Sequence, residues 1–156
     1  MTNLIGEFEC KLDAKGRLLV PSALRKQFAP EAEGRLFVKR GIENCLEIYQ
    51  KHDWEKLSSK ISSLNQFVKK NREFARKFIS GAMPIEIDGV GRVLFPKQLL
   101  EYASIGKELV LFAYGQKIEV WDKEEYNKAI AMNDDDFADL AEDVMGKFNN
   151  DEDGLS

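Results

Sequence analysis

The stretch DAKGRLLVPSALR at residues 13–25 returns as DGVGRVLFPKQLL at residues 88–100, and a chain that makes one small unit twice has few folds open to it. Displacing the sequence by 75 positions lays Asp13 on Asp88, Gly16 on Gly91, Arg17 on Arg92, Leu19 on Leu94, Pro21 on Pro96 and Leu24 on Leu99. The flanks repeat as well: at a shift of 72, Leu46-Glu47-Ile48-Tyr49 falls on Ile118-Glu119-Val120-Trp121. A unit of four short strands has too little apolar face to stand alone, whereas two copies can close a shared core and cover each other's strand edges. The duplication therefore predicts two interlocked halves related by a pseudo-two-fold axis, with the two turns near one another on one surface.

Within each half the local signals are distinct. Phe8, Cys10 and Leu12 alternate with Glu9, Lys11 and Asp13, the period of a half-buried strand. Asp13-Ala14-Lys15-Gly16 then reads as a tight hairpin turn, with Asp accepting backbone N–H groups and Gly supplying left-handed geometry. Arg17 opens a return strand, Leu18 to Val20, and Pro21 ends the ladder and suits the first turn of a short helix. Leu36 to Arg40 and Cys45 to Tyr49 form a second hairpin. The second half repeats the order: a strand over residues 82–87, the turn Asp88 to Gly91, a strand from Arg92, a Pro96 helix and a last hairpin over residues 108–121. Asp122 then caps a helix, with Glu125 three residues on. The domain plan is a first half at residues 3–52, connecting helices at 53–80, a second half at 81–130 and an acidic tail at 133–156. In the connector, Trp54, Leu57, Ile61 and Leu64 recur at helical spacing, as do Phe67, Phe74 and Phe78. In the tail, Phe137, Leu140, Val144 and Phe148 make an apolar stripe on an otherwise acidic helix.

Several function classes are disfavoured by residue content. The only histidine, His52, stands beside Asp53 at a helix start and has no nucleophile paired with it, so an enzyme is not indicated. Cys10 and Cys45 lie in apolar strand-like stretches and not in metal-ligand spacing; they read as buried thiols, with no zinc site. No phosphate-cradling Gly-rich loop is present, and no cofactor or small-molecule substrate is indicated. Apolar runs are far shorter than the roughly 20 residues that span a bilayer, and the first residues lack a signal-peptide pattern, so a cytoplasmic protein without membrane contact is expected.

The net charge of -4 conceals an asymmetry. Residues 133–156 hold nine acidic residues and one basic one, which leaves 22 basic and 18 acidic residues in positions 1–132, a net of +4. The body is mildly basic. Its most regular basic feature is the pair Arg17 and Arg92, each on a rigid turn. Arginine's planar fork of donors suits phosphate oxygens or a guanine edge. Two readings stand side by side: a nucleic-acid contact, and a plain ion pair across each turn with Asp13 or Asp88.

The doubled DAKGR and DGVGR turns, LLVPSALR and VLFP, the half-repeat spacing and the ending IEVWDKEEY closely resemble the MraZ family of bacterial transcriptional regulators, of the SpoVT-AbrB or swapped-hairpin class, over about residues 3–130. The resemblance implies an α+β fold in which tandem SpoVT-AbrB-like halves form an intertwined, double swapped-hairpin β-barrel with flanking helices. It also implies ring-shaped homo-oligomers, double-stranded DNA as partner and a nucleoid-associated location. The implied function is repression through direct repeats upstream of the division and cell-wall gene cluster. The family's motif falls on Asp13 and Arg17 and on Asp88 and Arg92, with Lys15 as a phosphate contact and Gly16 and Gly91 supporting the turns. The copies differ: where the first has Lys15 and Arg25, the second has Val90 and Leu100. The first turn is thus expected to carry a continuous basic patch of Lys15, Arg17 and Arg25, and to bind DNA more strongly. The rival from another class is a ring-forming scaffold whose turns serve only to close the barrel.

Overall fold

The computed structural model describes residues 3–30 and 34–155, and of residues 149–155 the backbone alone. The chain forms two compact units, Met1–Glu125 and Tyr126–Ser156. The first carries the duplication. Its first half runs β1 (Leu4–Lys11), β2 (Arg17–Leu19), α1 (Ser22–Arg25), β3 (Arg35–Arg40) and β4 (Leu46–Gln50). Helices α2 (Lys51–Ser62) and α3 (Lys69–Ile79) connect it to β5 (Met83–Glu86), β6 (Arg92–Leu94), α4 (Lys97–Tyr102), β7 (Glu108–Gly115) and β8 (Lys117–Asp122). Pro21 and Pro96 each stand immediately before a short helix, and the Pro21 carbonyl accepts the amides of Leu24 and Arg25. Asp122 caps the next helix, α5 (Lys123–Ile130), by accepting the Glu124 amide at 3.2 Å.

Strand pairing shows how the halves combine. The six-stranded sheet has the order β1-β7-β8-β4-β3-β5, and β2 pairs with β6 as a separate two-stranded ribbon. All pairs are antiparallel. Exchanging each strand for its repeat partner turns the sheet order into its own reverse, so a pseudo-two-fold axis passes between β4 and β8 and through the Leu18–Val93 pair of the ribbon. The ladders form an open sheet and a ribbon; they do not by themselves draw a closed barrel.

The β1–turn–β2 hairpin expected from the sequence is formed at its tip alone. Among the described residues the Leu12–Leu18 bridge and the bond from the Asp13 amide to the Arg17 carbonyl join the two segments; beyond them β1 runs along β7 and β2 along β6, both from the other half. A three-residue strand stopped by proline offers too few ladder bonds to hold a hairpin. Pairing the two short strands with each other instead turns Leu18 and Val93 into the core, each 1% exposed. Around them the core gathers Leu4, Leu24, Leu36, Leu46, Leu99 and Leu109 from both halves.

The other face of the sheet carries a buried charge cluster. Glu47 and Glu119 lie directly opposite one another across β4 and β8, an arrangement that like charges disfavour. Lysines resolve it. Lys117 Nζ reaches Glu47 at 3.2 Å and Glu119 at 3.6 Å, and the fully buried Lys39 reaches Glu47 at 3.3 Å. Tyr49 donates to Glu47, and its repeat counterpart Trp121 donates to Glu119. Burial works to raise the Glu47 pKa, but Lys39 and Lys117 together hold it below the ordinary value. Helix α2 brings Trp54 to stack on Phe37 at 5.7 Å, and Phe78 of α3 lies under the Lys39 ammonium. Cys45 is buried and Cys10 half-buried; both thiols are free, and burial pushes them up to about 12 and about 11.

The second unit is helical. Its main element, α6 (Asp134–Leu155), is capped by Asn133, whose Oδ1 accepts the Asp136 amide at 2.8 Å while its Nδ2 donates to the Asp136 carboxylate. The stripe expected on this helix is present and uncovered, with Phe137, Leu140, Val144 and Phe148 between 45% and 62% exposed. Among the described residues, no helix is long and apolar enough to cross a membrane.

Candidate nucleic-acid interface

Each repeat turn is tied together by one carboxylate. Asp13 Oδ1 accepts the amides of Lys15 and Arg17, both at 2.9 Å, and Oδ2 accepts Arg17 Nε at 2.7 Å. Asp88 does the same for Val90, Gly91 and Arg92, with Arg92 Nε at 2.9 Å. Gly16 and Gly91 sit at φ +81° and +102°, a region that any side chain would strain. The Arg17 backbone N–H, helped by its guanidinium, holds the Asp13 carboxyl below the ordinary carboxylate value; the Arg92 N–H is the largest contributor in holding Asp88 down to about 2. Both carboxylates are ionised at neutral pH.

What this arrangement accomplishes is orientation. Exposed ion pairs four residues apart add little to stability. Here the pair engages only Nε, and among the described residues the Nη groups of Arg17 and Arg92 make no hydrogen bond. A guanidinium so held loses little rotamer freedom when its outer edge meets a ligand. The ion-pair reading and the ligand reading of these arginines are therefore compatible: the aspartate is the fixture and the outer edge is free.

The ribbon sets the spacing. Arg17 lies opposite Leu94, and Leu19 opposite Arg92, so both arginines stand on the outward face, diagonally displaced by two residues along antiparallel strands. From strand dimensions their Cα atoms are on the order of 8 Å apart. The structure thus brings the two repeat arginines onto one surface.

Arg25 is placed elsewhere than the sequence suggests. Its Nε donates to the Val20 carbonyl at 3.0 Å, and its guanidinium lies against Gly91: a Cβ built there would meet Arg25 Nη1 at 2.5 Å. Arg25 therefore accompanies the second turn, across the ribbon from the turn of its own copy. Its repeat counterpart Leu100 crosses the other way, 3.6 Å from a Cβ built on Gly16. Because β2 pairs with β6, each short helix is carried over the turn of the opposite half. The first turn receives instead two lysines that the sequence reading did not single out. Lys97 and Lys107 line a cleft of about 670 Å³ with Asp13, Lys15, Gly16 and Leu100. The available signal was that Lys97 follows Pro96 where the first copy has Ser22 after Pro21. His52 is exposed at the start of α2 and lies in neither turn.

The relatives of this chain agree with the duplication. A family model described as "MraZ protein, putative antitoxin-like" matches twice, over residues 4–77 and 78–148. The chain is similar to proteins named "Transcriptional regulator MraZ" from Christiangramia forsetii and Flavobacterium psychrophilum, at 49% and 46% identity over the full length of both chains. It is similar at 38% identity to a protein of the same name from Desulforamulus reducens, over 90% of this chain and 96% of that one. With one model matched by both halves, and relatives of one name matched from end to end, the chain belongs to the MraZ family, a family of transcriptional regulators and not of enzymes.

Proposed function

We propose that this protein regulates transcription by binding double-stranded DNA through the outward face of the β2–β6 ribbon. The observation that carries the reading is the matched pair of Arg17 and Arg92, each fixed through Nε by its own aspartate with the outer donors left free. A two-stranded ribbon is of a size that the roughly 12 Å wide major groove admits. In this reading Arg17 and Arg92 address base edges or phosphates, Lys15, Lys97 and Lys107 add phosphate contacts beside the first turn, and Arg25 adds one beside the second. Asp13, Asp88, Gly16 and Gly91 hold the geometry.

The finer picture follows the family resemblance. The halves 3–52 and 81–130 form a double swapped-hairpin barrel, and protomers join in a ring that engages several direct repeats at once. The protein represses the division and cell-wall gene cluster from a cytoplasmic, nucleoid-associated position. A body with a net charge of only +4 favours such multivalency, since linked weak sites gain affinity through effective concentration. The test is a salt titration of binding to promoter duplexes with one, two and four repeats. Phosphate contacts make affinity fall steeply with salt, and affinity rises with repeat number. A scaffold that does not bind DNA gives no salt-dependent retention of any probe.

A further inference from the structure

The outward face of the ribbon holds four side chains, and two of them are leucines. Leu19 and Leu94 are 54% and 56% exposed, while their strand neighbours Leu18 and Val93 are 1% exposed on the opposite face. The outward positions of the neighbouring strand β1 are mostly charged, Glu7, Glu9 and Lys11 beside Ile5, whereas on the ribbon the apolar outward residue recurs in both copies. The register places Leu94 across from Arg17 and Leu19 across from Arg92, a chequered patch of two cations and two apolar side chains repeated by the pseudo-two-fold. Leucine occupies this position in both copies, although β2 reads RLL and β6 reads RVL.

We infer that Leu19 and Leu94 are specificity-determining residues that each rest on the C5-methyl group of a thymine in the major groove. The inference builds on the DNA-binding reading above. Asp13 and Asp88 offset the charges of Arg17 and Arg92, and the excess positive charge comes from Lys15, Lys97 and Lys107 at the first turn and Arg25 at the second, which fits a polyanion rather than an apolar protein partner. On the groove floor, base edges present hydrogen-bond donors and acceptors, and the thymine methyl is the apolar group among them. A leucine flanked by arginines gains nothing from a hydrogen-bonding edge and gains burial from a methyl. The ribbon's short ladder fixes the separation of the two leucines, so the thymines they select stand at one set spacing within the site.

The experiment uses the full chain and a duplex selected by it from a random library. Each thymine of that duplex is replaced in turn by deoxyuridine, which deletes the methyl and preserves base pairing. At two positions the wild-type protein should lose about fourfold in affinity, the equivalent of roughly 0.8 kcal/mol for one buried carbon. The Leu19→Ala/Leu94→Ala variant should bind thymine and uracil duplexes alike, and Leu19→Val/Leu94→Val should keep part of the preference. If no duplex is retained, the DNA reading itself fails. If duplexes bind tightly but no uracil substitution changes affinity, the DNA reading stands and this inference is wrong. A change of assembly mass in the Ala variant, with the methyl preference intact, assigns the leucines to contacts between copies and overturns it as well.

Discussion

Replacing Gly91 by alanine should do more damage than the same change at Gly16, although the two glycines occupy matching places in the repeat. Both have left-handed φ values, +102° and +81°, and a side chain in that region costs about 1–2 kcal/mol. The surroundings differ. At Gly16 the nearest heavy atom to a new Cβ is 3.6 Å away, an ordinary contact, whereas at Gly91 it meets Arg25 Nη1 at 2.5 Å and Cζ at 2.8 Å. The guanidinium has to leave, and with it goes the Arg25 Nε bond to the Val20 carbonyl. A hydrogen bond from a charged donor contributes about 1.5–3 kcal/mol when buried, and about 1 kcal/mol is reasonable for this half-exposed one. Gly16→Ala should therefore cost about 1–2 kcal/mol and Gly91→Ala about 2–3 kcal/mol. In an Arg25→Ala background the cost of Gly91→Ala should fall back to strain alone. The measurement is urea unfolding of the four proteins at one fixed protomer concentration, read as a double-mutant cycle. A coupling below about 0.3 kcal/mol, the level at which separate sites add, would refute the placement of Arg25 over the second turn.

Other outcomes follow from the same geometry. Arg17→Ala and Arg92→Ala should each weaken DNA binding by about 1–3 kcal/mol in a mobility-shift titration, and Arg25→Ala should be non-additive with Arg92→Ala but additive with Arg17→Ala. Asp88 has a folded pKa of about 2, below its unfolded value, so its contribution to stability is present above the ordinary carboxylate range and is lost as pH falls through about 2. Carboxyl chemical shifts followed through an acid titration should place the Asp88 midpoint there, and a midpoint near 4 would contradict the hydrogen-bond set, ordinary Asp being about 3.9. Lys39→Met removes one of the two lysines that reach the buried Glu47. It should destabilise by about 3 kcal/mol, the lower end of the range for breaking a buried pair, because Lys117 remains. Deleting residues 133–156 removes the exposed stripe of α6 and should lower the assembly mass measured by light scattering; an unchanged mass with a modest gain in nonspecific DNA binding means that this segment acts through charge alone.

The residues by themselves determined everything in this protein that depends on neighbours in the chain. Asp13 to Arg17 and Asp88 to Arg92 specify their turns because carboxylate, amides and glycine lie within five residues; Pro21 and Pro96 start helices by their fixed φ; and the hairpins β3–β4 and β7–β8 follow from alternation around short turns. The duplication, visible as identities, foretold the pseudo-two-fold. What the residues left open is which copy each element serves. In a duplicated chain β2 could lie against β1 or against β6, with similar local propensity, so nothing local separates the choices. The choice falls to the whole core, which is covered only when β1 crosses to β7, β5 to β3 and β2 to β6. From that crossing come the features no spacing could reveal: Arg25 over Gly91, Leu100 over Gly16, Lys97 beside the first turn, and Glu47 facing Glu119 on the axis with Lys39 buried beside it. These are contacts between residues far apart in the chain, and tertiary packing decides them because only the assembled core tells apart pairings of similar local energy.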